Sequence, residues 1–352
     1  MGKEHMMMKC VNRISIDTES LPNSELFGKL FPIIKKRIED RCGASCCEND
    51  TGAQFVLRFI LDESVPAEGF RLIDEDGVLA VRGADFLALM YGAGQFLHKS
   101  RYTAEGIVPT QWRGLSVPQK EKRMIQFCQH FFNWYQRCTA EEIQEHIEDL
   151  VLWGINGVVS VFTPVNSTGW DDPTMKDMTD ILRTCLKAAK ELSLKVGMEF
   201  SNVDFMNPRK ELAADYKYLL STTGNLICTS TEEGYAYFEE LLGKAMSYTD
   251  DIGLDFITFI AYDEGGCCCD KCWPWGGKGY YNMTHRASKF LRERYPNIEV
   301  WLFTWYLGRT EHQRMSGTCC TAACRRMPPR ATTGQTISFW KRETTTTVFI
   351  IP

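Results

Sequence analysis

The alternation of hydrophobic and polar positions changes character near residue 110, and that change divides the chain before any motif is considered. In the first hundred residues, short β-like runs alternate with helix-like ones. Residues 11–16 and 55–60 combine β-branched and aromatic side chains as strands do, and 26–38 is amphipathic at helical spacing. Residues 70–73 and 78–82 flank Asp74-Glu75-Asp76-Gly77, whose Asp-Gly pair predicts a hairpin. Residues 84–97 then place Phe86, Leu87, Met90 and Phe96 on one helical face. These elements predict a small α+β domain over residues 8–108.

From Trp112 onward the rhythm becomes strand, helix, strand, helix. Leu115-Ser116-Val117 reads as a weak first strand, and Thr139 followed by Glu142 has the capping-box pattern of a helix that ends by Gly154. Further strands are predicted at 157–162, 195–200, 256–261 and 299–304, with helices at 175–192, 235–247 and 284–294. Strands of near-continuous apolar character separated by helices predict a parallel sheet buried on both faces. The expected class is therefore α/β, a (β/α)8-type TIM barrel over 109–309. It is incomplete at about five β/α units, since eight need about 250 residues. Residues 310–352 form a Cys-, Arg- and Thr-rich stretch with little periodicity before Val348-Phe349-Ile350-Ile351. We expect this tail to be irregular, either disordered or frameshifted, behind a truncated barrel.

Composition narrows the function. With 44% hydrophobic and 24% charged residues the chain is expected to fold, and a net charge of -5 argues against nucleic acid or an anionic membrane as partner. No segment approaches ~20 apolar residues, and the amino terminus has no secretory apolar run, so a cytoplasmic location is expected. The 15 cysteines are then more often reduced than paired.

Asp263-Glu264 directly follows the most apolar strand, at the face where barrel active sites lie. One carboxyl held protonated beside one held charged suits glycoside cleavage, although such pairs also occur on solvated loops. Cys267, Cys269 and Cys272, joined by Cys228, offer four soft ligands for a structural zinc; packed thiols in a loop are the other reading. Trp275, Trp305 and Tyr306 could stack on a sugar ring or simply seal the barrel top, and Arg113 could fork onto sugar hydroxyls. His130 sits in Phe-rich sequence before the capped helix, where packing explains it equally well. Nothing matches a phosphate-cradling loop, a nucleophile elbow or a dinucleotide fingerprint, which leaves kinase, esterase and dehydrogenase readings without support.

Five segments together resemble the family 20 glycoside hydrolases, the β-N-acetylhexosaminidases, and bacterial relatives with an N-terminal zincin-like α+β domain: 70–97 with its Asp-Gly hairpin, Arg113-Gly114, His130-Phe131-Phe132, residues 150–156, and Asp263-Glu264. The resemblance spans roughly residues 10–308. It implies a retaining, substrate-assisted hydrolysis of a terminal amino sugar, with Glu264 as general acid/base and Asp263 orienting the 2-acetamido group. It also implies that Arg113 holds ring hydroxyls, that Trp305 lines the sugar subsite, and that no cofactor is required. The chain departs from the family at Ser160-Val161-Phe162-Thr163-Pro164, which lacks the usual His and acidic residue, and at Ala261-Tyr262, which replaces Gly-Gly. A truncated, inactive copy, a non-catalytic carbohydrate-binding protein and a zinc-stabilised scaffold are the alternatives.

Overall fold

The computed structural model describes residues 9–128, 133–165, 167–206, 209–212, 226–261, 266–273, 275–303 and 348–351. The chain divides into two compact units: residues 1–123, 144–156 and 191–194, and residues 124–143, 157–190 and 195–352. No helix among the described residues is long and apolar enough to cross a membrane.

The first unit is built on a six-stranded sheet. Its strands are β1 (Arg13–Asp17), β2 (Ser45–Glu48), β3 (Phe55–Leu61), β4 (Phe70–Glu75), β5 (Val78–Gly83) and, after the small β6–β7 ribbon (Arg101–Thr103, Gly106–Val108), β8 (Gly114–Ser116). They lie in the order β2-β1-β3-β5-β4-β8, with β4 antiparallel to both its neighbours. The β4–β5 hairpin turns at Asp76 (φ 49°) and Gly77 (φ 80°), the two left-handed residues that a tight Asp-Gly turn requires.

The helix expected over 26–38 is two helices, α1 (Glu25–Gly28) and α2 (Leu30–Glu39). Pro32 explains the break. It has no N–H for the carbonyl of Gly28, and its ring crowds that carbonyl, so Pro32 fits only in the first turn of a new helix. Helix α3 (Phe86–Lys99) starts where Asp85 accepts the N–H of Ala88 at 2.8 Å.

Of the segment expected to be the first barrel strand, Leu115-Ser116-Val117, the first two residues belong instead to β8, which closes the edge of this first sheet. Leu115 and Val117 are exposed there, so their apolar character marks an edge rather than a buried strand. The parallel row begins later, at β9 (Met124–Phe127), which the sequence pattern did not single out.

Helix α4 (Ala140–Leu152) carries the expected capping box: the N–H of Glu142 donates to the Thr139 hydroxyl at 3.2 Å, and the N–H of Thr139 donates to the Glu142 carboxylate at 2.8 Å. The second unit continues through β10 (Gly157–Val161), α5 (Pro173–Glu191), β11 (Lys195–Phe200), α6 (Glu232–Ser247), β12 (Phe256–Ile260), α7 (Gly279–Arg294) and β13 (Glu299–Phe303). Strands β9 to β13 are mutually parallel and stand side by side in chain order. Such sequential winding has no topological switch point, which separates it from a doubly wound sheet. The last strand, β14 (Val348–Ile351), pairs antiparallel with β13, and among the described residues the row is open between β14 and β9. A closed barrel is not among the described features.

Both faces of this row are buried, as the continuous apolar runs require. Phe200 and Phe259 meet Phe238 of α6 at ring separations of 5.9 and 6.3 Å, so their face is covered by helix. The opposite face carries a cluster of Met124, Val159, Phe256, Ile260, Trp301 and Phe303. Phe256 stacks on Trp301 at 3.8 Å, and Gly197 beside it makes room: a Cβ there would lie 2.2 Å from the Phe256 ring.

Candidate functional site

Period-2 alternation sends Gln126 of β9 and Glu199 of β11 onto the same face as that apolar cluster. Glu199 is 4% exposed, lies between Val161 and Thr258 in the register, and accepts one hydrogen bond, from Gln126 Nε2 at 2.7 Å. Burial dominates the balance and pushes its carboxyl up to about 8, the Gln126 amide offsetting only part of the cost. At neutral pH the side chain is mainly a neutral acid, able to donate a proton as well as accept a hydrogen bond.

Beyond the carboxyl ends of β10 and β11 the backbone leaves the sheet and polar side chains appear. Thr163 follows β10, and its hydroxyl is buried without a partner among the described residues; the same holds for Asn202 Oδ1 after β11 and for Gln136 Oε1. Native folds leave few buried polar atoms unpaired. Gln136 and Thr163 line one cavity of about 550 Å³ together with Arg137, Ser167, Asp177 and Met178, a volume in the range of small-molecule pockets. Asp204, 2% exposed, accepts the Tyr237 hydroxyl at 2.5 Å, and burial together with this carboxylate keeps that phenol protonated.

Behind β12 a second polar cluster forms. Cys228, Cys267, Cys269 and Cys272 bring their four Sγ atoms within 4.8 Å of one another. The N–H groups of Cys272 and Trp273 both donate to the carbonyl of Cys269, which makes the Cys269–Cys272 segment a tight turn. Cys268, between two members, turns its sulfur to the carbonyl of Gly266 instead. Hydrogen bonds from Cys267 and then Cys272 hold the Cys228 thiol well below the ordinary range, whereas those with Cys228 and then Cys267 push Cys272 up. Burial raises Cys269, but the Ser230 hydroxyl and the N–H groups of Cys272 and Lys271 outweigh it. None of the 12 described cysteines is in a disulfide.

Of the residues singled out by sequence, the four cysteines are therefore brought together. Asp263, Glu264, Trp305, Tyr306 and His130 lie outside the described residues. Arg113 belongs to the first unit, where its guanidinium grips both oxygens of Asp74 at 2.8 Å and donates to the carbonyls of Thr110 and Trp112. All three of its nitrogens are engaged within that unit. Trp275 is 3% exposed, and its ring lies so close to Gly266 and Gly279 that a Cβ on either would fall within 2.2 Å of it. Of the two readings open for Trp275, a plug rather than a stacking platform is the one its burial supports. Gln126, Glu199, Thr163 and Asn202 were missed. The signal was available for Glu199, a lone carboxylate inside the apolar run of β11.

No protein-family model matches the sequence, and no curated protein matches it. Similarity appears in three dimensions. The family 20 β-N-acetylhexosaminidase of Streptomyces coelicolor A3(2) matches over 94% of this chain and 73% of its own, with TM-score 0.58 and 13% identity. A variant of Streptomyces plicatus β-hexosaminidase in complex with product GlcNAc matches over 93% and 72%, with TM-score 0.56 and 13% identity. The β-N-acetylhexosaminidase of Bacteroides fragilis matches over 84% and 62%, with TM-score 0.54 and 12% identity, so the chain spans less than two thirds of that relative. What is shared at such identity is the fold: a mixed α/β chain with parallel strands, arranged as in the family 20 glycoside hydrolases.

Proposed function

We propose that this protein is a glycosidase of the β-N-acetylhexosaminidase type, acting on a terminal amino sugar, and that the row β9–β13 is part of a (β/α) barrel. The observation that carries the reading is the place of Asp263-Glu264 in the sequence, separated from the end of β12 only by Ala261 and Tyr262, in a chain whose fold is that of enzymes named for this activity. In such winding the residues after strand carboxyl ends form the reaction face.

In the proposed reaction the substrate's own 2-acetamido oxygen attacks the anomeric carbon while the bond to the leaving oxygen breaks. Glu264 gives its proton to that oxygen, and Asp263 orients the acetamido group. Water then attacks the same carbon, breaks its bond to the acetamido oxygen and returns a proton to Glu264, so no enzyme nucleophile is needed. A neutral sugar agrees with the chain's modest negative charge, and the many thiols agree with a reducing, cytoplasmic setting.

The test is Glu264→Gln assayed on an aryl N-acetylglucosaminide. Turnover should fall at least about 100-fold with the thermal transition unchanged, the loss expected for removal of a general acid. Retained turnover removes Glu264 from the mechanism, whereas sugar binding by the unaltered chain with no hydrolysis at all favours a carbohydrate-binding protein.

A further inference from the structure

We propose that Cys228, Cys267, Cys269 and Cys272 bind a single zinc ion in a closed tetrathiolate site, which clasps the segment leading into α6 to the loop that follows β12. Three independent features of the cluster point to this ligand.

Distance is the first. A tetrahedral zinc with Zn–S bonds of about 2.3 Å sets neighbouring sulfurs about 3.8 Å apart. The Sγ atoms of Cys228 and Cys269 are 3.9 Å apart, and no pair among the four exceeds 4.8 Å. A disulfide would need about 2.05 Å. The second feature is burial. Cys267 and Cys272 are 0% and 1% exposed, so thiolates there lack water and call for a cation at the centre of the group.

The third is a donor beside the sulfurs. The Ser230 hydroxyl lies 3.1 Å from Cys228 Sγ and 3.5 Å from Cys269 Sγ. A hydroxyl set beside two sulfurs is what a metal-bound thiolate uses to spread its charge. With four sulfurs and no open position, the site is structural rather than catalytic.

The clasp has a consequence for the neighbouring loop. Cys267 is three residues beyond Glu264, so the ion would anchor one end of the segment that carries the acid pair. Metal binding itself is independent of the hydrolytic reading and is measured without any sugar.

The experiment uses the full chain, purified under reducing conditions with no chelator and no histidine tag. Elemental analysis should find about one zinc per chain, and replacement by Co2+ should give the intense sulfur-to-cobalt charge transfer of a tetrathiolate. Cys228→Ser and Cys272→Ser should each weaken binding by more than about 100-fold, and Ser230→Ala, which keeps all four ligands, by about 10- to 100-fold. Cys47→Ser, at an exposed cysteine of the first unit, should keep the full equivalent. Should either ligand variant fail to fold, the cobalt spectrum of the unaltered chain and the Ser230→Ala titration decide the matter. Folded, reduced protein without zinc and without a cobalt–thiolate spectrum overturns the proposal, as does zinc that persists in both cysteine variants.

Discussion

The two units differ in how fully they satisfy their buried polar side chains. In the first, charges come with partners: Arg58 with Asp17, Arg82 with Glu75 and Asp62, Arg113 with Asp74, and the buried Arg37 with Glu148 and Asp149. In the second, Glu199 is buried with only an amide for company, and every buried polar side-chain atom found without a partner among the described residues belongs to that unit. A sheet whose only task is to hold together satisfies its polar groups. Unpaired groups near the carboxyl ends of parallel strands are of the kind that handle a ligand or a proton, which agrees with placing the proposed chemistry in the second unit.

Replacing Glu199 by Gln attacks that contrast most strongly. A carboxyl raised from 4.5 to about 8 binds its proton more tightly when folded than when unfolded. The stability it contributes is whole below the unfolded value and is lost as pH rises through about 8. Gln keeps the hydrogen bond from Gln126 and never ionises. The variant should therefore match the parent near pH 4.5 and gain on it by about 1.4 kcal/mol per pH unit, on the order of 4 kcal/mol in all by pH 8. Denaturant titrations across that range measure the gap. Parallel curves would mean that Glu199 is ionised in the folded protein, with a counter-charge or water beside it, and the contrast would lose its main support.

A smaller effect probes how rigidly the second sheet is packed. In Gly197→Ala the new methyl would lie 2.2 Å from a Phe256 ring already stacked on Trp301, so neither ring can yield without breaking that contact. Overpacking of this kind costs about 1–3 kcal/mol. Adding Phe256→Leu should recover part of the loss, and a double-mutant cycle in urea would report the coupling. Purely additive effects would show that the two positions are not in contact.

Much of this was legible in the residues and some of it was not. The hairpin, the capping box and the strands β10 to β13 follow from local pattern, because turn chemistry and periodicity act over a few residues. The cysteine quartet could be named because soft ligands recur at short spacing, although Cys228 joins the group only through the fold. The start of the parallel row was misread, since three apolar-polar residues at β8 fit an exposed edge as well as a buried strand. Glu199 and Gln126 lie on different strands, and their meeting depends on register, which no local pattern encodes. For Trp275 the sequence left stacking and sealing both open, because composition cannot tell an aromatic that faces solvent from one packed on two glycines.

Arg113 offers the finest test, because its resemblance-based role and its observed contacts predict different outcomes. Gripping Asp74 at the partly exposed edge of the first sheet, it makes an ion pair of the kind worth roughly 0–1 kcal/mol. Arg113→Ala should then lower stability by about 1 kcal/mol or less and leave kcat/KM on an aryl N-acetylglucosaminide within about twofold. A guanidinium that held ring hydroxyls in the transition state would instead cost about 2–4 kcal/mol, seen as a loss of 30-fold or more in kcat/KM with little change in folding. The two outcomes differ in which measurement moves. A kinetic loss would draw Arg113, and the edge strand it precedes, into the reacting unit, and the division between a satisfied scaffold and an unsatisfied site would have to be redrawn between β8 and β4.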